Sequence, residues 1–353
     1  MSFEPRLRGS RREFLRVASQ LIFLNMIEPK MGSAKELSFM RYGVNFSVVD
    51  IDKTKIGQCT SGDHSATISG RAFLPNYQSR LVRDSVNKSL MQMKAEGVSS
   101  IRSLIWFAEK ASSDRNTCGI NQGREIGANL RLFAEDLARA GMGTLIVAFS
   151  PQARSAPICR QKNWGDCFEE QTLANSGRFI ADVRQSFASP YGIDVWFDLN
   201  NEGVPANSLP KQAKDGLIEY MRNVSLSQRS AFPSDRLSMS MQASSLQERM
   251  RYLLDNFDSQ GVGPNFYSLH LYKSSSPDPE STLLQFAELV RARPRPVFIG
   301  EVEDDPAYFL RVKQVLERSI PEYLESIVVW PLRDSKNQCA IDTEPSEVFS
   351  RIN

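Results

Sequence analysis

The chain has 353 residues, 41% of them hydrophobic, with 43 Lys+Arg against 41 Asp+Glu and a formal net charge of +2. That apolar content excludes wholesale disorder, and so small a charge argues against nucleic acid or an anionic membrane surface as a partner. Five cysteines with no Cys-x-x-Cys pair, and only two histidines, His64 and His270, argue against a structural zinc site, an iron–sulfur cluster or a poly-histidine metal centre. No metal and no organic cofactor is expected.

The first expected element is an export signal. Residues 10–16 read Ser-Arg-Arg-Glu-Phe-Leu-Arg, a mostly apolar stretch runs from Val17 to Ile27, and Gly32-Ser33-Ala34 supplies a small-x-small step. The paired arginines before x-Phe-Leu resemble a twin-arginine (Tat) signal, which implies the Tat export machinery as a partner of the precursor. Residues 1–34 then form the signal, and 35–353 form a periplasmic or secreted body. The apolar stretch falls short of the ~20 residues needed to span a bilayer, so no stable membrane anchor is expected. In an oxidising compartment Cys159 and Cys167, which bracket a polar segment, could close a small disulfide loop. Cys59 and Cys118 are a second candidate pair, and Cys339 is left over.

From residue 41 onward, short apolar runs alternate with longer amphipathic segments. The runs are 41–47, 99–107, 143–150, 192–199, 236–243, 266–272, 296–301 and 326–332. Their hydrophobicity is continuous rather than alternating, as in strands buried on both faces. The intervening stretch 48–78, rich in Gly, Ser and Thr, reads as a long first loop. Helical spacing is clearest at 79–97 (Leu81, Val82, Val86, Leu90, Met93), stopped by Gly97, and at 123–140 (Ile126, Leu130, Leu132, Phe133, Leu137), stopped by Gly141. Further helices are expected near 170–187, 210–228, 243–256, 280–292 and 305–318. Eight strands alternating with helices, the last four starting about 30 residues apart, predict an α/β fold built as a single (β/α)8 TIM barrel. An open doubly wound sheet would usually carry a Gly-rich turn after its first strand, and none follows 41–47.

In such barrels chemistry gathers at the C-terminal ends of the strands. Strand four ends in Asp198-Leu199-Asn200-Asn201-Glu202-Gly203, and strand seven in Gly300-Glu301-Val302-Glu303. Carboxyls from strands three units apart on a ring face each other across its mouth. One can then protonate a leaving oxygen while the other attacks, or activates water at, an anomeric carbon. Arg102 sits in an otherwise apolar strand and needs an anionic partner. His270 and Tyr272 form His-x-Tyr at the end of strand six, and Trp330 ends strand eight. Glu303 is the nearest competitor to Glu301, but Asp304-Asp305-Pro306 reads as the following helix cap. Asp198 reads as a supporting group or a buried structural partner, Asn45 as a weak candidate for substrate contact, and Trp106 and Trp196 as packing. Trp164, in the polar loop after strand three, lines a subsite or covers the rim.

Together, Arg102, Asn201-Glu202, His270-x-Tyr272, Glu301 and Trp330 resemble clan A glycoside hydrolases, the cellulase-like retaining barrels, over about Tyr42 to Arg333. The resemblance implies Glu202 as general acid/base and Glu301 as the nucleophile that forms a glycosyl-enzyme. It implies Asn201 on the neighbouring sugar hydroxyl, with Arg102 and Tyr272 holding Glu301 ionised. His270 would contact the acid/base or the substrate, and Trp330 would give the first sugar a flat face. Gly203 departs from the pattern, standing where many members carry proline. The implied partner is a poly- or oligosaccharide, cleaved at an O-glycosidic and most often β-linked bond. A rival reading is a barrel that binds polysaccharide without cutting it, in envelope or exopolysaccharide assembly, which has no need of two supported glutamates. An exported redox enzyme, the other rival, lacks any cluster, haem or dinucleotide motif.

Overall fold

The computed structural model describes residues 41–46, 48–49, 71–111, 117–152, 170–187, 192–203, 211–243, 248–330 and 348. These belong to one unit, Met40–Asn353. The expected signal at 1–34 lies outside the described residues, as do Cys59, Cys159, Cys167, Cys339, His64 and Trp164.

Eight staves form where the continuous apolar runs predict them. They are β1 (Arg41–Asn45), β2 (Val98–Ala108), β3 (Thr144–Pro151), β4 (Asp194–Asp198), β5 (Arg236–Ser238 with Ser240–Gln242), β6 (Tyr267–Leu271), β7 (Val297–Glu303) and β8 (Leu324–Trp330). Neighbours pair in parallel from β5 through β4, β3, β2, β1, β8, β7 and β6. The second half of β5 then pairs with β6 while its first half pairs with β4. A single stretch broken at Met239 therefore joins both edges of the sheet and closes a (β/α)8 barrel, leaving few unpaired edges.

The helices between the staves are α1 (Arg80–Ala95), α2 (Gly123–Arg139), α3 (Glu170–Ser186), α4 (Lys211–Ala231), α5 (Glu248–Ser259), α6 (Pro279–Ala292) and α7 (Pro306–Ser319). Two glycines in the left-handed region, Gly97 (φ 87°) and Gly141 (φ 75°), end the turns after α1 and α2, where a side chain would be strained. One correction concerns Leu81: it shares helical spacing with Val82 and Val86 but is 65% exposed, and the buried face of α1 is Val82, Val86, Ser89, Leu90 and Met93. Another concerns 48–78, which is not all loop. Val48–Val49 pairs antiparallel with Arg71–Ala72, and a short turn at Leu74–Asn76 leads into α1. Cys118 is free and buried, and Cys59, the partner weighed for it above, lies outside the described residues.

The barrel has two cores. Helices and outer strand faces share the large one, while Ile146, Trp196, Phe266, Phe298 and Val328 form a separate cluster inside the ring. Trp196 packs edge-on to Phe266 and Phe298 at 5.0 and 4.7 Å, contacts worth about 0.5–1.5 kcal/mol each beyond area burial. This plug makes the interior a packed floor, and everything above it on the same strand faces forms the mouth. Trp196 is thus a packing residue, as expected, with Arg236 stacked at 4.1 Å from its ring centre.

Candidate active site

Arg102 is the hub. It lies on the inward face of β2, its side chain is 0% exposed, and a buried cation there must be matched by anions. Its Nη1 donates to Glu301 Oε1 at 2.7 Å and to Asn45 Oδ1 at 2.9 Å. Its Nη2 donates to Asp198 Oδ2 at 3.0 Å and to Asn201 Oδ1 at 2.5 Å. One guanidinium therefore ties together the ends of β1, β4 and β7. Asp198 is both a buried structural partner of Arg102 and the acceptor of the Ser240 backbone N–H at 2.9 Å, which secures the break in β5. Asn45 also donates to the Gly300 carbonyl at 3.0 Å.

A bulge aims Glu301. Strict alternation from Phe298, which faces the interior cluster, would point Glu301 away from it. The pairing of β7 shifts register against β6 between Leu269 and His270, and against β8 between Ile299 and Val302. The extra residue turns Glu301 inward, opposite His270. The strand continues through Glu303, and the helix cap expected within Asp304-Asp305-Pro306 falls at Asp305, whose Oδ1 accepts from Tyr308 N at 2.9 Å. Glu303 itself serves the rim, accepting the Lys273 N–H at 2.7 Å.

Glu202 is aimed by a turn. It is the one non-glycine residue with positive φ, at 52°, among the described residues. Such a conformation costs on the order of 1 kcal/mol and persists only where neighbours enforce it. Here Asn201 N donates to the Phe149 carbonyl at 2.7 Å, Glu202 N to Ser240 Oγ at 2.8 Å, and Gly203 N to the Asn200 carbonyl at 2.9 Å. Gly203 has a local reason. A Cβ there would lie 2.4 Å from Met239 Sδ and 2.6 Å from Asn200 Nδ2, so the Met239 side chain at the β5 break fills the space that any side chain at 203 would need.

His270 joins the two carboxyls. Its Nδ1 stands 3.3 Å from Glu202 Oε1 and 3.5 Å from Glu301 Oε1. One ligand atom from each of the three residues lies within 4.8 Å of the others. Tyr272 Oη donates to Glu301 Oε2. With Arg102 on Oε1 and Tyr272 on Oε2, both Glu301 oxygens are already engaged, which leaves a poor cation site. Gln242, at the end of β5, hydrogen-bonds Glu202; sequence reasoning missed it, although its place at a strand end was the available signal. Trp330, half-buried, shares the face of the interior Val328 at the end of β8. Trp106, read above as packing, is half-buried on the same face of β2 as Arg102, four residues nearer the rim.

The electrostatics separate the two acids. Burial pushes the Glu301 carboxyl above the usual range, and the nearby Glu202 adds to the rise. His270 and Arg102 oppose it, and donors on both oxygens favour the carboxylate at neutral pH. Burial alone would raise Glu202 too, but hydrogen bonds from His270 and Gln242, with the charges of His270 and Arg102, hold it below the ordinary carboxylate range. Its side chain is 21% exposed, against 4% for Glu301. Water therefore reaches Glu202 and hardly reaches Glu301.

No family model matches the sequence, and no curated protein matches it. Solved structures share its fold. An endo-1,4-β-mannanase from Rhizomucor miehei aligns at 11% identity with a TM-score of 0.51, over 83% of this chain and 86% of that one. The GH5_18 protein of Streptomyces cattleya, solved with GlcNAc, aligns at 11% identity and 0.52, over 88% and 78%. An exo-β-1,4-mannosidase from Opitutaceae bacterium strain TAV5 aligns at 12% identity and 0.53, over 88% of this chain but 58% of its own length. At these identities the likeness is one of fold, a barrel of the kind found in TIM-barrel glycosidases.

Proposed function

We propose that the chain is a retaining glycoside hydrolase acting on a β-linked poly- or oligosaccharide, with Glu202 as acid/base and Glu301 as nucleophile. The observation that carries this reading is the carboxyl pair at the barrel mouth. One oxygen of Glu202 and one of Glu301 lie within 4.8 Å. That is near the ~5–5.5 Å of retaining pairs and below the ~6.5–9.5 Å that leaves room for an inverting water. The endo-1,4-β-mannanase and the exo-β-1,4-mannosidase that share this fold support a β-linked sugar chain as the substrate class. The twin-arginine-like sequence supports export to the periplasm or beyond.

The chemistry follows from the two environments. Glu301, held by Arg102 and Tyr272, is a desolvated carboxylate whose oxygen attacks the anomeric carbon. The C1–O bond to the leaving sugar breaks, and that oxygen takes a proton from Glu202. A sugar chain lying across the mouth removes water from the part-exposed Glu202, which raises its carboxyl and favours the proton-bearing form. Once Glu301 is an ester, its charge is gone and Glu202 ionises more readily. It then takes a proton from the water that attacks C1, and the bond from C1 to Glu301 breaks. Asn201 would meet the adjacent hydroxyl, and Trp330 would present its face to the first sugar.

A panel of β-linked glycans and aryl β-glycosides, run with wild type and Glu301→Gln side by side, tests this. The wild type should release reducing sugar from at least one member, and Glu301→Gln should lose about a thousandfold or more in kcat. Undiminished turnover in Glu301→Gln would refute the assignment.

A further inference from the structure

We propose that Glu303 is a specificity residue: its carboxylate, beside Trp330 at the rim of the mouth, accepts from hydroxyls of the sugar lying on that tryptophan and turns away chains that carry carboxylates of their own, such as β-linked uronic acids. This deepens the functional reading above and rests on it for the presence of a sugar.

Beyond its bulge, β7 alternates again. Glu301 faces the mouth and Val302 joins the outer core, so Glu303 returns to the side of Glu301, two residues nearer the rim. On β8, Val329 belongs to the outer core and Val328 to the interior cluster, so Trp330 also faces the mouth. Glu303 and Trp330 are partners in the β7–β8 register, and adjacent strands lie about 5 Å apart. Both side chains are half-buried. A tryptophan face and a carboxylate side by side match the two surfaces of a sugar, the apolar C–H face of its ring and the O–H donors at its edge.

The carboxylate is only half used. Its Oε2 accepts the Lys273 backbone N–H at 2.7 Å, and no described residue donates to Oε1. The Lys273 ammonium pairs with Asp305 at 2.9 Å instead. Deeper in the mouth, Arg102 bonds Asp198 and Glu301, and His270 stands against Glu202. Glu303 is thus the mouth carboxylate with no ion pair of its own among the described residues. A neutral chain brings it hydroxyl donors. A uronate chain brings a second charge of the same sign into a mouth that the chain itself has partly dried, where like charges a few ångströms apart are costly.

Matched β-1,4-linked pentamers isolate the charge: mannose against mannuronate and glucose against glucuronate, each pair differing only at C6. Titration calorimetry on full-length Glu301→Gln, which binds without cutting, is compared with the same protein carrying Glu303→Gln as well. Glutamine keeps the size of the side chain and an oxygen for the Lys273 N–H, so a purely structural role survives and only the charge is lost. With Glu303 in place, at least one neutral pentamer should bind, about tenfold or more tighter than its uronate counterpart. Glu303→Gln should tighten the uronate by about tenfold, the effect of removing one like charge a few ångströms away, and change the neutral pentamer by less than about threefold. If that variant does not fold, Glu303→Asn removes the same charge and gives the same readout. Equal binding within each pair, a uronate affinity that does not rise in Glu303→Gln, or no neutral pentamer bound would overturn the proposal. Selection that depends on Glu303 with no turnover by the wild type would leave it standing and sink the enzymatic reading. Turnover that is lost in Glu301→Gln, without such selection, would do the reverse.

Discussion

Replacing Arg102 with methionine keeps most of the volume and removes the charge. The partners left behind are Asp198, 0% exposed, and Glu301, 4% exposed. Removing one member of a buried ion pair costs about 3–5 kcal/mol, because the remaining charge stays buried without compensation. Tyr272 and the Ser240 backbone still donate to the two carboxylates, so one such cost, and not two, is expected at neutral pH. The Glu301 carboxyl, already raised by burial, rises further. A raised folded-state pKa adds stability below the unfolded value and loses it as pH rises through the folded one. The deficit of Arg102→Met should therefore be full at about pH 7 and shrink as pH falls into the carboxylate range. Urea denaturation of both proteins at about pH 7 and about pH 4.5 measures this. A deficit below about 1 kcal/mol, or one no smaller in acid, would refute the view of Arg102 as the charge that holds the mouth together.

Gly127 lies on α2 where α3 crosses, and a Cβ there would sit 2.2 Å from the Val183 carbonyl oxygen. Gly127→Ala should lower stability by about 1–3 kcal/mol, despite the roughly 1 kcal/mol that alanine gains in helix propensity; a rise in denaturation midpoint would contradict the close packing. Asp305 caps α7 and its carboxyl is held down, chiefly by the Tyr308 backbone N–H and also by Lys273. Asp305→Ala should cost about 1 kcal/mol, present above the unfolded carboxylate pKa and lost as pH falls through the depressed folded one, which paired melts across that window will show. Glu202→Gln should slow glycosides with poor leaving groups by roughly 10²–10⁴ while sparing activated aryl glycosides in the first step, and equal loss on both would remove Glu202 from the proton-donor role.

The staves were legible because strands buried on both faces are written as continuous apolar runs. Leu145-Ile146-Val147-Ala148-Phe149 on β3 and Val297-Phe298-Ile299 on β7 cannot be mistaken for half-solvated strands. The strand ends were legible for a related reason: a polar residue such as Arg102 or Asp198 inside an apolar run has to have a partner. What the sequence hid depends on register. Nothing in Gly300-Glu301 announces that a bulge there turns Glu301 inward, since the dipeptide reads the same whether the strand is regular or not. The break at Met239 is invisible for the same reason, being a choice of partners on either side. That β7 reaches Glu303 was hidden because Asp305-Pro306 marks where α7 begins without marking where β7 ends. Leu81 fits the helical period but falls just outside the arc of α1 that the barrel covers. Gln242 is an uncharged residue whose importance lies wholly in the Glu202 carboxyl that it meets.

The central claim, that Glu301 becomes covalently bound to sugar, can be read by mass. Incubation with a panel of 2-deoxy-2-fluoro-β-glycosides, followed by digestion and peptide mass spectrometry, should show one added glycosyl group on the peptide carrying Glu301, absent from Glu301→Gln. An adduct on another residue, or turnover of natural glycan with inversion at the anomeric carbon, would contradict the account.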